Sequence, residues 1–269
     1  MFFRQGGWTK QKSSYSVKNL LKILIPLPSY GFDPTEAAIP WKLLKGRYQI
    51  FFATPNGKKA QADEIMVTGN GLKMWRRLLM ARTDAVTAYA EMIRSKAFSS
   101  PMAYSSIDPD AFDALILPGG HHKGVREYLE SDILQGIIPY FFSNNKKVAA
   151  VCHGVILLAR SKDPVTNKSV IYTYQTTSLL KSQELLAYNL TKLWLGDYYL
   201  TYPGVTVEDE VRAALKSNDQ FIMGPKPVFR DTRMNLKHGF AVKDRNYVSA
   251  RWPGDIYTLT HVFGSMFSG

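Results

Sequence analysis

Four short apolar runs in the first 151 residues constrain the fold of this chain more than any other feature. They are "KILIPLP" (22–28), "YQIFFATP" (48–55), "DALILP" (113–118) and "KKVAAV" (146–151). Each is continuously apolar rather than alternating, so each must be covered on both faces, as strands of a parallel sheet are. Between them lie segments of helical periodicity. Asp33-Pro34 signals a helix start, with proline where the first-turn N–H has no partner in any case. In "DAVTAYAEMIRSKAF" the apolar stripe is Val86, Tyr89, Ala90, Ile93 and Ala97. In "KGVREYLESDILQGIIPYFF" it is Val125, Tyr128, Leu129, Ile133, Leu134, Ile137 and Ile138, with Pro139 expected to kink or end that helix. "DEIMV" (63–67) and "SVIYTYQ" (169–175) read as two further short strands. "GFAVKDRNYVSARWPG" reads as a hairpin, and a closing helix carries Ile256, Leu259, Phe263 and Phe267. The predicted fold class is α/β: a doubly wound parallel sheet sandwiched by helices, flavodoxin-like in type.

The pattern is that of one domain over residues 21–269, preceded by a basic extension at 1–20 and interrupted by an insertion at about 177–235. The insertion is aromatic-rich ("LAYNLTKLWLGDYYLTYPG") and is expected to be helical, lying over the edge where such sheets bind ligands. Its aromatics are read as packing rather than as a recognition stripe. The first 32 residues hold no carboxylate, a composition shared with cleaved organelle-targeting peptides. The single cysteine excludes an internal disulfide and favours a reducing compartment, so cytoplasmic is the expected location and organelle targeting the alternative. No run approaches the roughly 18 apolar residues of a membrane span. The net charge of +12 invites a nucleic-acid reading, but the cations are scattered beyond "MWRRLLMAR" and "NGKK". Zinc-ligand spacing, RNA-binding aromatics and a phosphate loop are all missing, so no specific nucleic-acid binding is expected.

"KKVAAVCHGVILLAR" runs a strand through Cys152, His153 and Gly154 into a second apolar segment. A sharp strand-to-helix turn of this kind holds a nucleophile at the top of a sheet and tolerates little bulk two residues to either side, here Ala150 and Gly154. Free N–H groups at a helix start favour the thiolate, so a depressed Cys152 pKa is expected. The competing reading is a small buried hydrophobe. "DALILPGGHH" ends a strand at Gly119 and Gly120, whose backbone N–H groups, with that of His153, suit an oxyanion. Glu36, in the first turn of the first helix, stands near the same edge and could exchange a proton with the thiol. His121 reads as a pocket-lining histidine. Adjacent to His122 it finds no third ligand at helical spacing, so no metal is expected. Arg251 is either a substrate-binding arginine or a structural one at the start of the last helix.

Taken together, "TEAAIP", "ALILPGGH", "VAAVCHG" and, more loosely, "YVSARWPGD" resemble the ThiJ/PfpI superfamily, which shares the class I glutamine amidotransferase-like fold. The resemblance spans about residues 20–175 and 238–268. It implies that Cys152 is the nucleophile, His153 its neighbouring histidine, Glu36 the helix-start glutamate, and Gly119 and Gly120 the oxyanion glycines. The downstream His-x-Glu of the amidotransferases is absent: His238 and His261 are followed two residues later by Phe240 and Phe263. The acid that supports the histidine in the chaperone and glyoxalase branch is also missing, since "YTYQTTSLL" offers Gln175, Thr176 and Thr177. The resemblance therefore implies a cofactor-free, cysteine-dependent enzyme of glyoxalase or deglycase type, converting small electrophilic 2-oxoaldehydes to 2-hydroxy acids. The alternatives are a stress-related chaperone or redox sensor without turnover and, third, an amide or peptide hydrolase. Relatives of this fold often dimerise, which leaves a homodimer open for this chain, with nothing in the sequence to fix its interface.

Overall fold

The computed structural model describes residues 20–267; the basic extension up to residue 19, and with it the targeting question, lies outside them. Among the described residues the strands are β1 (Lys22–Pro26), β2 (Tyr30–Phe32), β3 (Gln49–Thr54), β4 (Gln61–Ala62), β5 (Met102–Ala103), β6 (Ala114–Leu117), β7 (Lys147–Val151), β8 (Ala241–Asp244) and β9 (Tyr247–Ala250). The α-helices are α1 (Pro34–Leu44), α2 (Glu64–Thr68), α3 (Arg76–Leu79), α4 (Thr83–Met92), α5 (Lys96–Ser99), α6 (Arg126–Leu129), α7 (Asp132–Ser143), α8 (Gly154–Arg160), α9 (Lys181–Leu195), α10 (Val207–Ala213) and α11 (Ile256–Ser265). None is long and apolar enough to cross a membrane.

Seven strands form one sheet in the order β5-β3-β1-β6-β7-β9-β8, parallel throughout except for the β8–β9 hairpin. Successive side chains of a strand point to opposite faces, and this divides the apolar runs between two cores. Ile23, Ile25, Ile116, Ala149 and Val151 face a core shared with α1, α4 and α11. Leu24, Leu115, Leu117, Val148 and Ala150 face the core under α6, α7, α8 and α10. The fold is the doubly wound α/β sandwich that the apolar runs imply. The chain leaves β1 toward β3 on one side and later returns to β6 on the other, so the ends of β1 and β6 make the switch point where such sheets hold ligands.

Several local expectations are corrected. "DEIMV" is the helix α2, because Asp63 caps it by accepting the Ile65 N–H at 3.0 Å and Gly69 ends it at φ 72°. "SVIYTYQ" forms turns, tied by Val170 N–H to Ser161 O, and adds no strand to the sheet. The buried face of α4 is Ala85, Ala88 and Met92, while Ile93 is exposed; small residues there let α4 approach α1. The segment after Gly124 is two helices, since Ser131 caps α7 on the Leu134 N–H at 3.3 Å. Pro139 lies inside α7 without ending it. The insertion contains α9 and α10 but is otherwise irregular, docked through Thr176 and Gln220 in the backbone ladder and through Asp231. The Asp231 carboxylate accepts the Thr258 N–H at 2.6 Å, satisfying a free donor at the start of α11.

Candidate active site

Cys152 sits between β7 and α8 with φ +56°, a left-handed conformation that costs a non-glycine residue on the order of 1–3 kcal/mol. The surroundings enforce it. The Cys152 N–H donates to Ala250 O of β9 at 3.1 Å, and a Cβ on Gly154 would meet Leu117 O at 2.2 Å, so only glycine lets the chain turn against β6. The elbow geometry thus follows from the "AVCHG" spacing. Cys152 is 6% exposed and lines a cavity of about 170 Å³.

Glu36 reaches the same cavity from α1. Asp33 caps that helix by accepting the Thr35 and Glu36 N–H groups at 2.7 and 3.1 Å, which holds Glu36 at its first turn. Glu36 is fully buried; its Oε2 accepts the Gly119 N–H at 2.7 Å, and its Oε1 has no partner. That bond corrects the expected oxyanion set: the Gly119 donor serves Glu36, and the N–H groups of Gly120 and His153 remain. Burial pushes the Glu36 carboxyl well up, and the neighbouring Asp33 carboxylate adds to the rise. The Cys152 thiol is likewise pushed well up by burial and by the Glu36 charge. Desolvation outweighs the helix N-terminus, contrary to the expectation of a depressed thiol pKa.

His153 is fully buried, and its Nδ1 lies 3.4 Å from the Cys152 sulfur. Its Nε2 lies 2.9 Å from Thr201 Oγ1, whose hydroxyl also meets His121 O at 2.7 Å. The Thr201 proton goes to that carbonyl, so the Thr201 oxygen accepts from Nε2–H. His153 Nδ1 is then left bare toward the thiol. Burial lowers the His153 pKa to about 3, which keeps the ring neutral. Thr201, from the insertion, therefore occupies the orienting position in which an acid was sought. A Thr201→Val substitution should lower kcat by about 10- to 100-fold at unchanged KM, through loss of a positioned proton acceptor. Steady-state kinetics check this.

His121 also lines the cavity, stacked on Tyr199 at 4.3 Å, and burial lowers its pKa to about 4. His122 turns away, its Nδ1 accepting the Gly124 N–H at 2.9 Å. Among the described residues no group of three His, Cys, Asp or Glu side chains is arranged to hold a metal ion. Arg251 does not join the site. Its side chain is fully buried on Asp255, with Nε–Oδ2 2.8 Å and Nη2–Oδ1 3.0 Å.

Ten buried side-chain polar atoms lack a partner among the described residues, and six belong to residues of the Cys152 cavity: Glu36, His121, Gln183, Glu184, Tyr199 and Trp252. Buried polar atoms are seldom left unpaired, so these groups pair with water or with a molecule bound in the cavity. The wider groove of about 1410 Å³ lined by α1, α11 and residues 77–87 contains none of them.

A family model described as ThiJ/PfpI family-like matches residues 27–225. The chain belongs to the ThiJ/PfpI-like family. A protein of Schizosaccharomyces pombe is 29% identical over 183 residues, 64% of this chain and 67% of its own length. A deglycase of Pyrococcus abyssi is 26% identical over 162 residues, 60% of this chain and 66% of the relative. The chain thus spans about two thirds of the length of these two relatives, and 33% of a deglycase of Thermococcus kodakarensis that is 39% identical over 57 residues. Glyoxalase III from Candida albicans has the same fold: TM-score 0.67 at 20% identity, covering 93% of this chain and 98% of that one.

Within this ThiJ/PfpI-like site, sequence reasoning missed Glu184, Tyr199, Thr201, Arg230 and Trp252. Four of these lie in the insertion, and no local pattern marks them. Glu184 is 2% exposed; Oε2 accepts the Val207 N–H at 3.0 Å and Oε1 is unpaired. Burial raises its pKa from 4.5 to about 7. Because the folded value is the higher one, the fold favours the protonated acid. The resulting stability is complete below about pH 4.5 and is lost as pH rises through about 7. Thermal melts of Glu184→Gln across that window should decline less steeply than those of the parent.

Proposed function

We propose that this protein converts small 2-oxoaldehydes to 2-hydroxy acids through Cys152, without a cofactor. The observation that carries the reading is the Cys152 cavity itself: a strained, buried thiol beside two carboxyls with raised pKa values and six unpaired polar atoms. Its volume of about 170 Å³ suits a molecule of a few heavy atoms, since a cavity of about 150 Å³ accommodates benzene. Relatives named as deglycases and glyoxalases support the same class of chemistry.

As sulfur attacks the aldehyde carbon, Glu36 takes the thiol proton. A carboxyl with a raised pKa is matched to that transfer, and the result is a hemithioacetal. The N–H groups of Gly120 and His153 are the backbone donors next to Cys152 that are available to the oxygen that gains charge. With the adduct oxygen protonated by Glu36, removal of the former aldehyde C–H proton and protonation of the adjacent carbonyl oxygen give an enediol. Return of a proton to the adjacent carbon and loss of the adduct's hydroxyl proton then give the thioester of the 2-hydroxy acid. Glu184, ionising near neutrality, is the base on the cavity suited to this shift, while His153 Nδ1 lies against the sulfur. Water then cleaves the thioester, so one 2-oxoaldehyde and one water yield one 2-hydroxy acid, with no net oxidation.

The test is proton NMR of methylglyoxal incubated with the protein in D2O. Lactate should accumulate, with deuterium at C2 to the extent that the transferred proton exchanges. Absence of lactate at micromolar protein over hours sinks the reading. The rate should rise as pH passes upward through about 7, the Glu184 carboxylate being the active form, and Glu184→Gln should lose that limb.

One observation favours a second reading. Of the fourteen exposed large hydrophobic residues among the described residues, seven lie within residues 177–235, including Leu193, Val228, Phe229 and Met234. Such a surface suits a holding chaperone. Suppression of client aggregation that survives Cys152→Ala and fails in a Phe229→Ser, Met234→Ser double variant would support it.

A further inference from the structure

The cavity wall that includes the insertion carries two hydrogen-bond donors without a partner among the described residues, Trp252 Nε1–H and Tyr199 Oη–H, and a guanidinium used only in part. Arg230 lines the cavity half-buried. Its Nη2 donates to Leu78 O at 2.9 Å. Among the described residues no carboxylate pairs with this guanidinium. The guanidinium carbon lies 5.2 Å from the centre of the Trp252 ring, whose Nε1–H is buried without an acceptor. Tyr199 Oη, also buried on this cavity, has no partner either.

The group is held from behind. Asp231 follows Arg230 directly; its N–H donates to Gly254 O at 2.7 Å and its carboxylate caps α11. Trp252 precedes the same helix start. Two segments distant in sequence thus converge at one anchored place, which presents their donors preorganised.

Charge selects the ligand. Besides Cys152 and Tyr199, whose neutral forms burial favours, the other ionisable groups on the cavity are Asp33, Glu36, Glu184 and His121. Burial raises the three carboxyls and lowers the histidine, so each shifts toward its neutral form. Arginine stays cationic even where burial lowers its pKa. A planar guanidinium on the same cavity as an N–H and an O–H donor suits the two oxygens of a carboxylate. A phosphate dianion calls for more than one cation, and Arg230 is the one lysine or arginine on the cavity among the described residues.

We propose that Arg230, Trp252 Nε1 and Tyr199 Oη form a carboxylate seat, and that the preferred substrate is a small 2-oxoaldehyde bearing a carboxylate at the end remote from the aldehyde. This rests on reading the Cys152 cavity as a carbonyl-substrate site, so binding is tested apart from turnover. Cys152→Ser protein is titrated calorimetrically with 4-oxopentanoate and with pentan-2-one, the same chain without the carboxylate. The carboxylate ligand should bind at least tenfold tighter. Arg230→Met should remove that advantage, Trp252→Phe should weaken it severalfold, and Arg230→Lys should restore part of it. In the wild type, kcat/KM for 4,5-dioxopentanoate should exceed that for methylglyoxal at least tenfold, with the preference lost through KM in Arg230→Met. Equal binding of the two ketones, or carboxylate binding indifferent to both Arg230→Met and Trp252→Phe, overturns the seat. Arg230-dependent binding with no turnover of either aldehyde supports the seat and sinks the proposed reaction instead.

Discussion

Cys152→Ala should abolish methylglyoxal turnover, by about 10⁴-fold or more, while leaving the fold in place. Alanine occupies the same φ +56° position with the same backbone strain, and the lost sulfur is small. What disappears is the atom that bonds to the substrate in the proposed reaction, for which no neighbouring side chain substitutes. The companion measurement concerns the thiol itself. Burial and the Glu36 charge hold it largely protonated at neutral pH, so iodoacetamide should react slowly there and faster only as pH rises above the ordinary thiol range. Glu36→Gln removes the negative charge and should move the alkylation profile to lower pH. A fast reaction at pH 6 in the parent would contradict this account of a proton shared by two buried acids. Turnover retained in Cys152→Ala would remove the cysteine from the mechanism.

Arg251→Met should be the most damaging change to stability. The guanidinium is fully buried and paired through two nitrogens with Asp255, and it also donates to the carbonyls of Met223 and Pro225. Removing it strands a carboxylate in the interior, at about 3–5 kcal/mol. For a chain of this size that corresponds to a Tm lower by about 10 °C. Asp255 also accepts the Phe240 N–H at 2.9 Å, so the loosening should spread into the connection leading to β8. Turnover per folded molecule should stay within about twofold of the parent. An unchanged Tm with lost turnover would return Arg251 to the substrate site, where the sequence alone left it as one of two alternatives.

The sequence by itself determined the layered α/β architecture, the elbow and the position of Glu36, because each is written within a few adjacent residues. Continuous apolar runs imply strands covered on both faces. Gly154 two residues after Cys152 permits the turn, and Asp33-Pro34 sets where α1 begins. Local pattern misjudged "DEIMV", where a capping aspartate and a terminating glycine outweigh β-branched character over five residues. The remaining features of the site depend on contacts between distant segments. Thr201 orients His153 across 48 positions, and Asp231 anchors Arg230 on a helix beginning 25 residues later. The protonation of Cys152 and Glu36 was likewise decided in three dimensions. A helix start favours a thiolate only while water remains near it, and how much water α1, β6 and the insertion exclude is set by packing rather than by the order of residues.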